Sequence, residues 1–134
     1  MKVYDYKIVR MKRDMDLIRD ILVAINDDSK FDGTHEFYFQ TPEELGIHGH
    51  STDEVAYHIA QLIEAGFIDG AVTMQNPLHT VRKLTWKGHE LEANVRNSEI
   101  WEKTKKVVKD LHTVSITVIA EIAEAIIKKH YHLS

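Results

Sequence analysis

Residues 51–70, STDEVAYHIAQLIEAGFIDG, narrow the choice of fold more than any other stretch of this chain. Val55, Ile59, Leu62 and Ile63 recur at i, i+4, i+7 and i+8, so a helix gathers them on one apolar face. Ser51 or Thr52 is of a type that caps a helix start, with Asp53 and Glu54 at the positive end of the helix dipole. Gly66 follows the last apolar turn, where a left-handed residue commonly closes a helix and glycine adopts that geometry most easily. Phe67 and Ile68 then open an apolar extended segment, broken by Gly70 and resumed at Val72. The spacing predicts a helix with a hard stop, followed at once by a strand.

The flanking segments extend this pattern. Residues 14–27 carry Leu17, Ile18, Ile21, Leu22 and Ile25 as one stripe, which predicts a first helix with Asp16, Arg19 and Asp20 toward water. HEFYFQ at 35–40 is aromatic and predicts a short strand beside the later hairpin. Thr41-Pro42-Glu43-Glu44 is a helix start, kept brief by Gly46 and Gly49. Strands are expected at 67–74 and 81–86, joined by a turn at Asn76-Pro77. A helix follows at 86–96 with Leu91 and Val95 inward and Gly88 allowing close packing at its corner. Ser98 caps the next helix, 98–109, whose apolar contacts are Ile100, Trp101, Val107 and Val108. The last helix, 111–130, carries Val114, Val118, Ile119, Ile122, Ile126 and Ile127.

A short helix, a turn, a longer helix and a hairpin make a winged helix-turn-helix. The expected class is therefore α+β, mainly helical, with a β-hairpin wing and a C-terminal helical extension. Residues 1–10 form an N-terminal extension, 11–97 the winged-helix domain, and 98–134 helices that pack on it and dimerise. At 134 residues the chain suits one domain with a real core.

Several segments also resemble one family. Met11-Lys12-Arg13-Asp14-Met15-Asp16-Leu17-Ile18-Arg19 is similar to the opening of the bacterial and phage proteins grouped as domain-of-unknown-function family 2513. The similarity continues at Val55–Ile59, Leu62–Ile68 and Leu84–Glu90, then through Ile100-Trp101 and the lysine-rich segment into the apolar last helix. The resemblance implies a winged-helix, YjcQ-like domain, often encoded by prophage. It implies no catalytic activity and carries no functional residues over. Residues 1–10 precede the usual start of that pattern.

Charge divides the functional readings. Residues 14–66 hold twelve acidic and two basic side chains, in the region of the helix that a conventional DNA reader makes basic. The winged layout implies a DNA-binding or transcription-associated protein, in which Thr52, Tyr57, His58 and Gln61 face the groove and His79, Arg82 and Lys83 grip phosphate from the wing. The acidic segment implies the alternative: a protein-interaction module that does not bind duplex DNA and offers its acidic face to a protein partner, even as a DNA mimic. The wide apolar stripe of the last helix implies a homodimer through Val114, Val118, Ile119, Ile122 and Ile126. Lys103, Lys105, Lys106 and Lys109 form a basic run suited to an acidic partner or to a solvated helix face.

Other chemistry finds little support in the residues. The chain has no cysteine, which removes thiol catalysis, disulfides and thiolate metal sites and fits the reducing cytoplasm. His48-x-His50, with His58 and Asp53 or Glu54, lacks a spacing that secures metal geometry, and no metal or cofactor is expected. Phosphate-cradling glycines, a nucleophile elbow and HExxH are all missing, and His89-Glu90 beside Thr85 is a corner rather than a catalytic pair. The expectation is a non-enzyme. No apolar run is long enough to span a bilayer, and the basic N-terminus has no adjoining apolar signal core.

Overall fold

The computed structural model describes residues 12–111 and 114–132, so the expected N-terminal extension lies outside the described residues. Five helices and one hairpin follow in order: α1 (Met15–Asn26), a 3-10 helix (Pro42–Leu45), α2 (Thr52–Glu64), β1 (Ile68–Ala71), β2 (Thr80–Leu84), α3 (Trp86–Arg96), α4 (Ser98–Leu111) and α5 (Ile116–His130). The layout is winged-helix-like, α+β and mainly helical.

Helix α1 is the hub. All five residues of its stripe, Leu17, Ile18, Ile21, Leu22 and Ile25, are buried, and the helix packs on α2, α3 and β2. Each such side chain contributes about 1.5–3 kcal/mol when taken out of water. Asp14 caps the helix by accepting the Leu17 N–H. Arg19, expected in solvent, instead lies across the end of α3 and donates to the Val95 and Arg96 carbonyls at 2.7 and 2.6 Å. It satisfies acceptors that the last turn of a helix leaves open.

Helix α2 forms as its spacing predicts. Ser51 and Glu54 make a reciprocal capping box, and Gly66 at φ +86° closes the segment. The hairpin is shorter than expected and carries a bulge: Asp69 pairs with Lys83 and Gly70 with Val81, which leaves Arg82 as the extra residue. Gly70 is required there, because a Cβ would collide with the Thr80 carbonyl. At the next corner Gly88 abuts the Phe67 carbonyl oxygen, the close packing its position predicts.

Four further expectations change in the folded chain. HEFYFQ makes one bridge, Phe37 to Val81, in place of a strand. Its rings cluster with Phe31 at centroid distances of 5.4 and 5.9 Å, and this packing, rather than a hydrogen-bond ladder, holds the segment. In α4, Thr104 is buried and Val107 is exposed, the reverse of a hydropathy reading; the Thr104 hydroxyl donates to the Ile100 carbonyl at 2.8 Å, which removes its need for water. Asn97, rather than Ser98, caps α4 through its side-chain oxygen. The last helix begins only at Ile116, capped by Ser115, so Leu111 belongs to α4.

Candidate functional site

The residue types and the winged layout direct attention to α2 and the hairpin. Helical phase fixes what α2 can present. With about 100° between successive residues, Val55, His58, Ile59 and Leu62 share one face, and all four are buried. The opposite ridge is Asp53, Tyr57, Ala60 and Glu64, at i, i+4, i+7 and i+11. Asp53 and Glu64 are exposed and Tyr57 and Ala60 half-buried, so the outward ridge has a carboxylate at each end and no cation.

His58 therefore corrects the expectation that it faces outward: it is 1% exposed. Its Nε2 accepts the Asp14 backbone N–H at 2.7 Å, and its Nδ1 lies 2.7 Å from the Glu54 carbonyl, to which it donates. The ring joins α2 to the cap of α1 and has no edge left for a base. Its position three residues after Val55 and four before Leu62 is the signal for this placement. Thr52 and Gln61 flank the ridge and are half-buried. Gln61 borders a concavity shared with Arg13, Glu64, Ser115 and Thr117, where the start of α5 approaches α2.

The hairpin cations and His79 are similarly engaged. His79 holds a left-handed backbone, φ +65°, which is uncommon outside glycine. Its Nδ1 lies 3.1 Å from the Thr73 nitrogen and its Nε2 3.1 Å from the Ala56 carbonyl, so the ring ties the wing to α2. Arg82 bonds Asp69 at 2.8 Å and donates to the Gly33 carbonyl. Lys83 is exposed, and its stem lies over Gly33. Of the wing residues expected to grip phosphate, Lys83 alone has a side chain with no hydrogen bond or ion pair among the described residues.

Two carboxyl groups, Asp20 on α1 and Glu54 in the first turn of α2, shift in opposite directions. Burial, and then the neighbouring Asp16 carboxylate, push the Asp20 carboxyl above its ordinary value. The Ser51 N–H, and then His50, hold the Glu54 carboxyl below its own. His50 and Glu54, considered as metal ligands, do come together with Asp14: one ligand atom from each lies within 4.8 Å of the others. Both carboxylates already serve as helix caps, which accounts for the cluster without an ion. His58 lies beside the cluster, but both its ring nitrogens are taken by the Asp14 N–H and the Glu54 carbonyl, and Asp53 is not part of it. Thr85, imagined beside His89 and Glu90, caps α3 and donates to the Gly66 carbonyl at 2.6 Å.

The second surface lies between α4 and α5, where a groove of about 490 Å³ is lined by Lys103, Lys106, Val107, Ile126, Lys129 and His130. On each helix the contributing residues fall at i, i+3 and i+4, one face apiece. Lys103 was in the expected basic run, but its meeting with Lys129 and His130 needs the antiparallel packing of the two helices. Of the expected dimer residues, Ile119 is fully buried within its own chain; Val118 is exposed, and Val114, Ile122 and Ile126 are half-buried. Among the described residues no helix is long and apolar enough to cross a membrane.

Comparison with known sequences adds kinship. A family model described as "Hypothetical protein (DUF2513)" matches residues 12–115. An "Uncharacterized protein" of Haemophilus influenzae is 33% identical over 122 residues, covering 89% of this chain and 98% of its own length. No solved structure matches the chain.

Proposed function

Because the chain belongs to the DUF2513 family, whose description names no chemistry, we propose a function from its side chains: a non-enzymatic protein-interaction module that keeps the winged-helix layout and docks a cationic protein surface on the outer ridge of α2. One observation carries this reading. The ridge that would enter a major groove presents Asp53 and Glu64 around Tyr57 and Ala60, while His58, His79 and Arg82 are held in bonds within the chain. Phosphates approaching that ridge meet like charge, which costs affinity where a DNA reader gains it. A lysine- or arginine-rich protein surface meets opposite charge there, with an aromatic ring between the carboxylates.

The test sets the ridge against two probes. The native chain is expected to bind a fluorescent lysine- and arginine-rich helical peptide, and the double variant Asp53→Lys, Glu64→Lys to lose it. Pooled genomic duplex fragments are expected to pass the native chain even at low salt. Retention of those fragments, weakening steeply as salt rises, would overturn the proposal in favour of a duplex-binding protein. Equal peptide binding by native and variant chains would remove the ridge as the site.

A further inference from the structure

Resting on that reading of the α2 ridge, we infer that its cationic partner is the α4–α5 groove of a second copy of this chain, so that copies associate head to tail. The two surfaces match in chemistry and in order. The ridge runs carboxylate, aromatic, alanine, carboxylate over twelve residues, about 16 Å along the helix. The groove places lysines on both walls, Lys103 and Lys106 on α4 and Lys129 on α5, around the apolar pair Val107 and Ile126. Tyr57 and Ala60 can lie on that apolar floor while Asp53 and Glu64 reach the lysines.

The groove retains uncompensated charge. Lys103 pairs loosely with Glu99 at 3.5 Å, and the same carboxylate lies 4.0 Å from His130. Lys106 and Lys129 have no ion pair among the described residues. Val107 is 40% exposed, an apolar residue left open between these cations. A two-fold contact centred on the groove would bring lysines against lysines, so a second groove is the wrong occupant. The α2 ridge supplies the opposite sign.

The two surfaces are also separate on one molecule. The end of α2 meets the start of α5, at Ser115–Thr117, whereas the groove lies at the far end of α5, about 15 Å along its axis from Ile116 to Ile126. A chain therefore cannot fill its own groove with its own ridge. A ridge on one copy and a groove on the next form a heterologous contact, which continues from copy to copy.

Charge reversal separates this pairing from every other contact. The variants are Asp53→Lys, Glu64→Lys on the ridge and Lys106→Glu, Lys129→Glu in the groove, each checked for native circular dichroism and thermal unfolding. If a ridge variant loses its fold, Asp53→Asn, Glu64→Gln replaces it. Mass is followed by light scattering across micromolar concentrations at low salt. The native chain is expected to gain mass with concentration and to return to one chain at about 1 M salt, where the screening length is only about 3 Å. Each variant alone should associate roughly tenfold more weakly or worse. An equimolar mixture of the two charge-reversed variants should restore association through the swapped charges.

The remaining outcomes overturn the pairing. Loss in the ridge variant with full association of the groove variant removes the groove and leaves the ridge as a protein site. Undiminished association in both variants removes both surfaces and points to the exposed apolar side of α5, around Val118. A native mass of one chain throughout overturns self-pairing, while the peptide experiment still decides the ridge.

Discussion

The imidazole of His58 accepts the backbone N–H of Asp14 at 2.7 Å, across 44 positions of sequence, and so fastens α2 to the first turn of α1. The accepting nitrogen must be unprotonated, and the other ring nitrogen donates to the Glu54 carbonyl. His58→Phe keeps an aromatic ring, though a somewhat larger one, and removes both bonds. Leaving this half-buried backbone donor unpaired costs about 1–3 kcal/mol where water cannot take the place of the ring. Denaturant unfolding should show a loss of that order, and a change within about 0.5 kcal/mol would mean that water replaces the bond.

Gly88 and Gly70 are held by contact rather than by φ. A Cβ at either position collides with a backbone carbonyl, of Phe67 or of Thr80, and neither carbonyl can rotate away as a side chain would. Gly88→Ala and Gly70→Ala should each destabilise the fold by about 1–3 kcal/mol or more. Gly46→Ala is the control, since nothing lies near its Cβ and only its φ of +74° opposes the change. Thermal unfolding should rank Gly46→Ala as the mildest of the three.

Arg82 and Lys83 are neighbours with different duties. Arg82 clamps Asp69 and the Gly33 carbonyl, whereas Lys83 is exposed. Arg82→Ala should cost about 1 kcal/mol, at the upper end for a half-exposed ion pair because a backbone acceptor is lost with it. Lys83→Ala should stay within about 0.5 kcal/mol. Any binding defect of an Arg82 variant must therefore be read beside its unfolding curve; Lys83→Ala reports on contact alone.

Acid stability should depend on Asp16. Lys105, and then the Trp101 indole N–H at 2.8 Å, hold its carboxyl below the ordinary value of 3.8. A carboxylate lowered on folding stabilises the native state above its unfolded value, and that contribution is lost as pH falls through the lower folded value. In a series of melting temperatures from neutral pH down to about pH 2, Asp16→Asn should flatten part of the acid decline. The native chain and the variant should converge at the acid end. A decline of unchanged steepness in Asp16→Asn would locate the acid sensitivity elsewhere.

Much of the architecture was legible because it is periodic or terminal. The α1 stripe, the α2 face, the cap at Ser51 and the stop at Gly66 depend on spacing and residue type within a few positions, and the folded chain keeps them all. Gly88 was readable for a related reason, since a corner between strand and helix leaves little room for a side chain. The acidity of the region around α2 was equally plain, and phase alone places Asp53 and Glu64 on its outward ridge.

The fates of individual polar residues were not legible, because each depends on a partner remote in sequence. Phase turns His58 toward the apolar face of α2 and leaves Gln61 at its flank, but the bond that makes His58 a fastening, to the Asp14 N–H, comes from 44 positions away. Arg19 looks solvated until the end of α3 arrives with two open carbonyls. Arg82 reads as a free cation until the bulge turns it toward Asp69 and Gly33. The groove is the fullest case, since Lys103 and Lys129 belong to different helices and become neighbours only when α4 and α5 pack. Spacing decides which side of a helix is apolar, whereas burial and pairing of a polar group are decided by what the rest of the chain brings against it.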